Sequence, residues 1–92
     1  MYFFSMELFA EKVLRVVKGI PRGETMTYAQ VAQRAGSPRA FRAVGAVMKK
    51  NYNADVPCHR VIRSDGTLGE YNRGGTKAKA RLLRMEGVIR ES

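Results

Sequence analysis

Residues 27–51 read TYAQVAQRAGSPRAFRAVGAVMKKN, and this stretch decides the fold. Thr27 is followed three residues later by Gln30, which is the spacing of a capping box that opens a helix. This pattern predicts a short helix that runs to Ala35 and stops at Gly36. A second helix follows at once, so the stretch predicts two helices joined by a tight turn.

The second helix is predicted to begin at Ser37 and Pro38, because serine caps helices and proline is favoured at their first position. It continues to Lys50 and ends at Asn51. Apolar and small residues at helical spacing form its predicted inward face. These residues are Phe41, Val44, Gly45 and Met48.

The other face of this helix combines small and basic residues, namely Arg39, Arg42, Ala46 and Lys49. Small side chains let a helix backbone approach DNA closely, and cations neutralise its phosphates. A tight helix pair with such a face is typical of a helix-turn-helix. An ordinary αα-hairpin has the same apolar pattern, but it does not require the basic face.

The net charge predicts the class of partner. The chain has 17 Lys and Arg against 8 Asp and Glu in 92 residues, which gives a formal net charge of +9. Between residues 34 and 63 the sole acid is Asp55. The basic residues of that stretch are Arg34, Arg39, Arg42, Lys49, Lys50, Arg60 and Arg63. We therefore expect a polyanion as the partner.

The remaining sequence predicts one domain, residues 1–92, with a small β-wing. Residues 56–63 are strand-like, residues 64–67 form a turn, and residues 68–71 return as a short strand. The predicted fold class is mainly α with this β-wing, similar to a winged helix-turn-helix.

Two further helices flank the central pair. The first is predicted over residues 6–18 and the last over residues 77–86. Ala78, Leu82 and Met85 recur at helical spacing in the last helix and are predicted to face the core.

Cysteine and histidine usage excludes several classes of protein. Cys58 is the only cysteine, so no internal disulfide can form, and with His59 as the only histidine no cluster exists to hold structural zinc. We expect no metal and no cofactor. Residues 1–6 are apolar but too short for a signal or membrane segment. The expectation is a cytoplasmic monomer that does not bind membranes.

The single thiol lies in the run Pro57, Cys58, His59, Arg60 and Val61. A neighbouring base or cation favours the thiolate, which is the nucleophilic form of cysteine. Free cysteine is also among the residue types most often buried as apolar filler. The run alone leaves both interpretations open, a reactive centre and a core thiol.

Five motifs occur in an order that resembles the O6-alkylguanine-DNA alkyltransferases, in their C-terminal, DNA-binding domain. They are Thr27–Ala32, Arg42–Gly45, Asn51, Pro57–Val61 and Leu82–Gly87. The resemblance covers residues 9–87, and the Pro-Cys-His-Arg-Val run with the others in register is its most specific part. It implies a DNA repair protein that transfers an alkyl group, such as methyl, from guanine O6 irreversibly to its own cysteine.

The resemblance also implies catalytic roles. Cys58 would accept the alkyl group, and His59 would take its proton through a water molecule. Glu86 would orient and polarise His59 as the third member of a relay. Asn51 would lie near the thiol, and the Tyr28 hydroxyl would donate to the leaving guanine.

A family member must extrude the target base from duplex DNA, and the resemblance implies which residues do this. The second helix of the pair would enter the minor groove, where Arg42 fills the vacated space. Tyr28 would push on the phosphate beside the flipped nucleotide, while Ser37 and Ser64 would touch the backbone. Arg39 and Lys49 belong to the predicted DNA-binding set.

The implied pocket for the flipped base has six further wall residues. These are Met48, Val61, Leu68, Gly69, Tyr71 and, through its backbone, Asn72. Met48 also lies on the inward stripe of its helix, so a core position is the alternative for it.

Family enzymes commonly carry a separate N-terminal domain, and we expect the minimal module without it. That resembles the alkyltransferase-like proteins, which bind alkylguanine without repairing it and recruit other factors, such as those of nucleotide excision repair. Those proteins usually have another residue at the position of Cys58. Weaker alternatives are a winged-helix regulator with an incidental thiol and a Cys-His hydrolase. The expected partner is double-stranded DNA containing alkylated guanine, and the expected location is the nucleoid.

Overall fold

The computed structural model describes residues 4–88, which form four helices and one two-stranded sheet. The helices are α1 (Phe4–Lys18), α2 (Tyr28–Arg34), α3 (Phe41–Lys50) and α4 (Gly75–Met85). The strands are β1 (Met26–Thr27) and β2 (Val61–Ile62). A fold that is mainly helical with a small β element is therefore confirmed. None of these helices is both long and apolar enough to span a membrane.

The predicted capping box opens α2. The Thr27 hydroxyl accepts from the Gln30 backbone N–H at 3.0 Å, and the Gln30 side chain accepts from the Thr27 N–H at 2.8 Å. The last helical residue is Arg34, and the chain turns away at Gly36, whose φ of +87° is one that glycine adopts without strain. The Ser37 N–H then bonds to the Ala32 carbonyl at 2.9 Å, which is the bond that closes a Schellman motif.

α3 begins later than predicted. The segment from Ser37 to Ala40 forms a separate turn, closed by the Ala40 N–H on the Ser37 carbonyl at 2.9 Å, so the helix starts only at Phe41. Val44 and Met48 are buried as predicted. Phe41 is 47% exposed, so its predicted inward position is wrong.

The sheet differs from the predicted wing. β1 and β2 pair in parallel, with Met26 opposite Val61 and Thr27 opposite Ile62. Residues 68–71 form no strand. The buried ammonium of Lys79 explains this in part, because it donates to the Val61 carbonyl at 2.6 Å and reaches the Glu70 carbonyl at 3.4 Å. In a wing hairpin these two carbonyls would take part in pairing residues 56–63 with residues 68–71. Here they accept from Lys79 instead.

The apolar core lies between α1, α2, α3 and β2. Its buried residues are Phe9, Val13, Val17, Ile20, Val31, Ala32, Ala35, Val44, Met48, Val56, Cys58 and Val61. α4 adds Leu83 and Lys79 as its buried residues. Met85 is 67% exposed, so the prediction that it faces the core is wrong.

Candidate active site

An open cleft of about 1010 Å³ lies beside the core, and Cys58 lines it. One wall is the exposed face of α3, from Phe41 to Lys49, and the other includes residues 63–65 and 70–72. Cys58 is 6% exposed, so the thiol lies deep in this cleft and is still reachable from it.

Cys58 opens a 3₁₀ turn, Cys58–Arg60, and Asn51 holds its sulfur. The Asn51 side-chain amide donates to Sγ at 3.0 Å. The amide oxygen of the same side chain accepts from the Asn53 N–H at 3.2 Å. Asn51 thus lies against the thiol and shapes the loop before it. A donor on sulfur favours a sulfur that carries negative charge.

Glu86 binds both residues that follow Cys58 in the turn. Its carboxylate lies 2.8 Å from His59 Nε2 and accepts from Arg60 Nε at 2.9 Å and Nη2 at 2.8 Å. The hydrogen bonds from Arg60, with those from His59, lower the pKa of Glu86 to about 2 although burial opposes the shift. The same contact raises the pKa of Arg60.

The end of α4 places this carboxylate. Glu86 follows the last residue of the helix, and Gly87 with φ of +80° turns the chain back. The Val88 N–H closes the motif on the Leu83 carbonyl at 2.9 Å, and Leu83 is fully buried. On the opposite side, Arg60 Nη1 donates to the Ile20 carbonyl at 2.8 Å, which ties the turn to the end of α1.

The Glu86 contact determines which nitrogen of His59 can act as a base. When the ring is neutral, its one hydrogen lies on Nε2 and is donated to the Glu86 carboxylate, which leaves the lone pair on Nδ1. The ring packs edge-on against Tyr71, with centroids 6.3 Å apart. Within residues 4–88 no hydrogen bond joins the ring to the Cys58 sulfur directly, so a proton passing between them requires a bridging molecule.

Lys79 is a residue that sequence reasoning missed. It is fully buried, and its ammonium lies 5.8 Å from the centre of the Tyr28 ring. Burial lowers the pKa of Lys79 to about 8. Its position one turn before Leu83, on the buried face of α4, is the sequence signal that could have indicated it.

Tyr28 is the first residue of α2, and its side chain lines the cleft. Burial raises the pKa of Tyr28; the charges of Cys58 and Glu70 add to that effect, and Arg63 opposes it. The hydroxyl therefore keeps its proton at neutral pH and can donate a hydrogen bond into the cleft.

The predicted pocket wall is assembled in part. Met48, Tyr71 and Asn72 line the cleft. Val61 has no exposed surface and packs in the core, since β1 and the buried residues cover it. Leu68 and Gly69 are not among the described residues that line the cleft. A Cβ on Gly69 would come within 3.3 Å of the Tyr28 hydroxyl, so this glycine lies directly behind Tyr28.

Asn72 contributes its side chain, where only its backbone was predicted to act. Nδ2 donates to the carbonyls of Met48 at 3.1 Å, Lys49 at 2.8 Å and Asn51 at 2.8 Å. Asn72 therefore joins the cleft wall to the C-terminal end of α3 and to the residue that holds the thiol.

The predicted DNA-binding residues occupy different positions. Arg42 and Lys49 are exposed on the α3 wall of the cleft, and Ser64 is exposed on the opposite wall. Arg39 is exposed outside the cleft, and Ser37 is half-buried in the turn before α3. Ala46, predicted on the same face as Arg42 and Lys49, also lines the cleft. Sequence reasoning did not place eight further residues there, namely Ala29, Phe41, Gly45, Arg63, Asp65, Glu70, Gly75 and Thr76. Within residues 4–88 no group of three acidic, histidine or cysteine side chains could hold a metal ion.

A family sequence model described as "6-O-methylguanine DNA methyltransferase, DNA binding domain" matches residues 8–88. A methylated-DNA–protein-cysteine methyltransferase of Methanothermobacter thermautotrophicus is 55% identical over 84 residues, which are 90% of this chain and 46% of that protein. The Homo sapiens protein of the same name is 43% identical over 86 residues, 91% of this chain and 41% of its own length. The chain thus spans about half the length of the curated relatives it matches.

Solved structures give the same picture. Mycobacterium tuberculosis OGT in complex with DNA superposes with a TM-score of 0.81 at 41% identity, over 86% of this chain and 48% of that one. S. pombe Atl1 in complex with damaged DNA containing O6-carboxymethylguanine also gives 0.81, at 35% identity, over 90% of this chain and 79% of its own.

Proposed function

The chain belongs to the 6-O-methylguanine DNA methyltransferase family through its DNA-binding domain, and we propose that it transfers the alkyl group of O6-alkylguanine in duplex DNA to Cys58. The observation that carries the proposal is the surroundings of the sulfur. Sγ lies in an open cleft, accepts from Asn51 at 3.0 Å and is adjacent in sequence to a histidine oriented by Glu86.

The transfer is a displacement at carbon. His59 Nδ1 takes the thiol proton through a bridging water molecule, while Glu86 holds the Nε2 hydrogen. Sγ then forms a bond to the alkyl carbon as the bond from that carbon to guanine O6 breaks. The electron pair of the broken bond stays on the guanine, which takes a proton from the Tyr28 hydroxyl. Tyr28 regains a proton from water, and His59 returns the former thiol proton to water, so no net charge remains. The thioether is stable, so each molecule acts once.

DNA engages the α3 wall in this proposal. The α2–α3 pair acts as a helix-turn-helix, and the loop over residues 63–71 takes the place of the predicted wing. Arg42 enters the gap that the flipped base leaves, and Arg39, Lys49, Ser37 and Ser64 contact the phosphate backbone. The exposure of Arg42 and Lys49 on one cleft wall supports this arrangement.

The test is incubation with a duplex that contains one O6-methylguanine, followed by intact-mass analysis and peptide mapping. We expect the peptide bearing Cys58 to gain one methyl group and the duplex to regain guanine. The matched control is Cys58→Ala, which must remain unmodified. An unmodified wild-type protein with unchanged DNA would contradict the proposal.

The second candidate is a lesion sensor that binds alkylguanine and recruits another repair factor, such as one of nucleotide excision repair. The match to S. pombe Atl1, most of whose length this chain covers, favours it. Both candidates bind lesions, so binding does not separate them, whereas methyl transfer does. Cys58 with its Asn51 contact supports transfer. A monomeric state and a cytoplasmic, nucleoid-associated location stay predictions.

A further inference from the structure

Phe41 is an exposed aromatic residue for which the proposed chemistry has no use. Among the described residues, four large apolar side chains are exposed, and of these only Phe41 lines the cleft. The other three are Leu8, Tyr52 and Met85. Exposure of a phenylalanine is unfavourable in the free protein, so a partner that covers the ring gains affinity from its burial.

The surface around this ring is open and basic. Gly45 lies one helical turn after Phe41 on the same face of α3, and a Cβ added there would meet no atom within 4 Å. Arg42 follows the aromatic residue directly, and both line the cleft. A bulky ring therefore borders an open recess, next to a cation.

The charge of this wall identifies the occupant. Arg42 and Lys49 are exposed beside the recess, and the whole chain carries a formal net charge of +9. An acidic peptide could pair with the cations, but it has no series of flat apolar ring faces that Phe41 could stack on. A DNA duplex opened at one step offers both, since phosphates flank unstacked bases.

Resting on the proposed function, we propose that the Phe41 ring stacks on a nucleobase left unstacked when the alkylated base leaves the duplex. Arg42 supplies the cation at the opened step, and Phe41 supplies the apolar face that replaces lost base stacking. Apolar wedges of this kind accompany minor-groove binding in other proteins. Phe41 is a positioning residue, because it touches the DNA and not the reacting atoms.

The experiment compares Phe41→Ala, Phe41→Trp and wild type on a duplex that carries O6-methylguanine next to 2-aminopurine. We expect Phe41→Ala to lose affinity for this duplex, and transfer rate on it, by about 5- to 150-fold, as removal of one base–aromatic stack predicts. The quenching of 2-aminopurine by the bound protein should fall with it. Phe41→Trp should retain all three quantities.

Two controls separate this role from others. Tyr52→Ala removes an aromatic side chain that is even more exposed, at 68%, but lies outside the cleft, and it should change nothing. Transfer to Cys58 from the free base O6-methylguanine needs no duplex, so Phe41→Ala should leave its rate unchanged. The midpoint of thermal unfolding should also stay the same.

A Phe41→Ala variant that binds and repairs the duplex like wild type overturns the proposal. Equal losses with duplex and free base overturn it too, since Phe41 would then be a wall of the base pocket. If the wild type transfers no methyl group, the proposed function fails, but affinity and 2-aminopurine quenching still decide the role of Phe41. A wild type that does not distinguish the lesion duplex from an undamaged one overturns both.

Discussion

Two arginines mark regions of this protein that are built in opposite ways. The Arg60 guanidinium donates hydrogen bonds to Glu86 and to the Ile20 carbonyl, and the Glu86 side chain is only 6% exposed. Arg42 is exposed on α3 and has no hydrogen-bond partner within residues 4–88. The hydrogen bonds around Cys58 are thus formed within the described chain, whereas Arg42 on α3 stays available to an external partner, which the proposed function takes to be DNA.

The largest effect is expected from Cys58→Ala, which removes the nucleophile and leaves the α3 face intact. Methyl transfer should be abolished, because no other described side chain in the cleft is a thiol. Affinity for the lesion duplex, measured by fluorescence anisotropy, should be retained. A variant that lost both would show that the two regions are not separate.

Glu86→Gln should damage the pre-assembled network next. The transfer rate should fall by about 10²- to 10⁴-fold, the contribution of an oriented general base, and unfolding in urea should show a loss of about 1.5–3 kcal/mol. The matched control is Glu70→Gln, an exposed acid that lines the same cleft. If Glu86→Gln transferred at the wild-type rate, the proposal that Glu86 orients His59 as a base would be wrong.

The pH dependence of stability should report the same carboxylate. Its pKa falls from 4.5 to about 2 on folding, so its stabilising contribution is fully present above pH 4.5. That contribution is lost as the pH falls through about 2, where the folded protein takes up the proton. Urea unfolding between these values should therefore show a slope in wild type that is smaller in Glu86→Gln. Identical slopes would mean that Arg60 does not hold a charged Glu86.

Arg42→Ala tests the other region. If Arg42 acts only on DNA, its removal should weaken lesion binding and slow transfer by the equivalent of about 1–3 kcal/mol, and the free energy of unfolding should not change. Arg39→Ala is the control, an exposed arginine outside the cleft, which should weaken binding less. A large loss of stability in Arg42→Ala would show that Arg42, like Arg60, holds the fold together, and the two regions would then not differ.

The smallest effect is the coupling between the regions. Arg42 and Glu86 share no hydrogen-bond partner among the described residues, so Arg42→Ala and Glu86→Gln should add in the logarithm of the transfer rate within about 0.5 kcal/mol. A double-mutant cycle on the same duplex measures this. Strong coupling would show that DNA binding rearranges the network around Cys58.

Local sequence signals predicted the elements that local bonds build. The capping box of Thr27 and Gln30 and the glycine stop at Gly36 were correct, because each depends on residues within a few positions. The predicted return strand over residues 68–71 was wrong. The sheet pairs β1 with β2 across the whole α2–α3 segment, and no local pattern reports such a pairing.

The errors at single positions have the same cause. Hydropathy predicts that Met85 is buried and Lys79 exposed. The structure shows the reverse: Lys79 is buried because its ammonium donates to the Val61 carbonyl, and the Met85 side chain is exposed. The apolar pattern predicts that Phe41 is buried. It is exposed, because α3 begins only at this residue. The positions of Asn51 and Glu86 came from the resemblance, and the part of Arg60 in holding Glu86 was missed because its partner is 26 residues away.

Glu86 lies behind the last helix, and this has a consequence for biosynthesis. The ribosome releases a chain from its N-terminus, so Cys58, His59 and Arg60 emerge well before their carboxylate partner. A nascent chain therefore contains its basic helix pair and its thiol while His59 still lacks the carboxylate that orients it. Under the proposed function, transfer at the full rate therefore requires translation to pass Glu86, which follows the final helix.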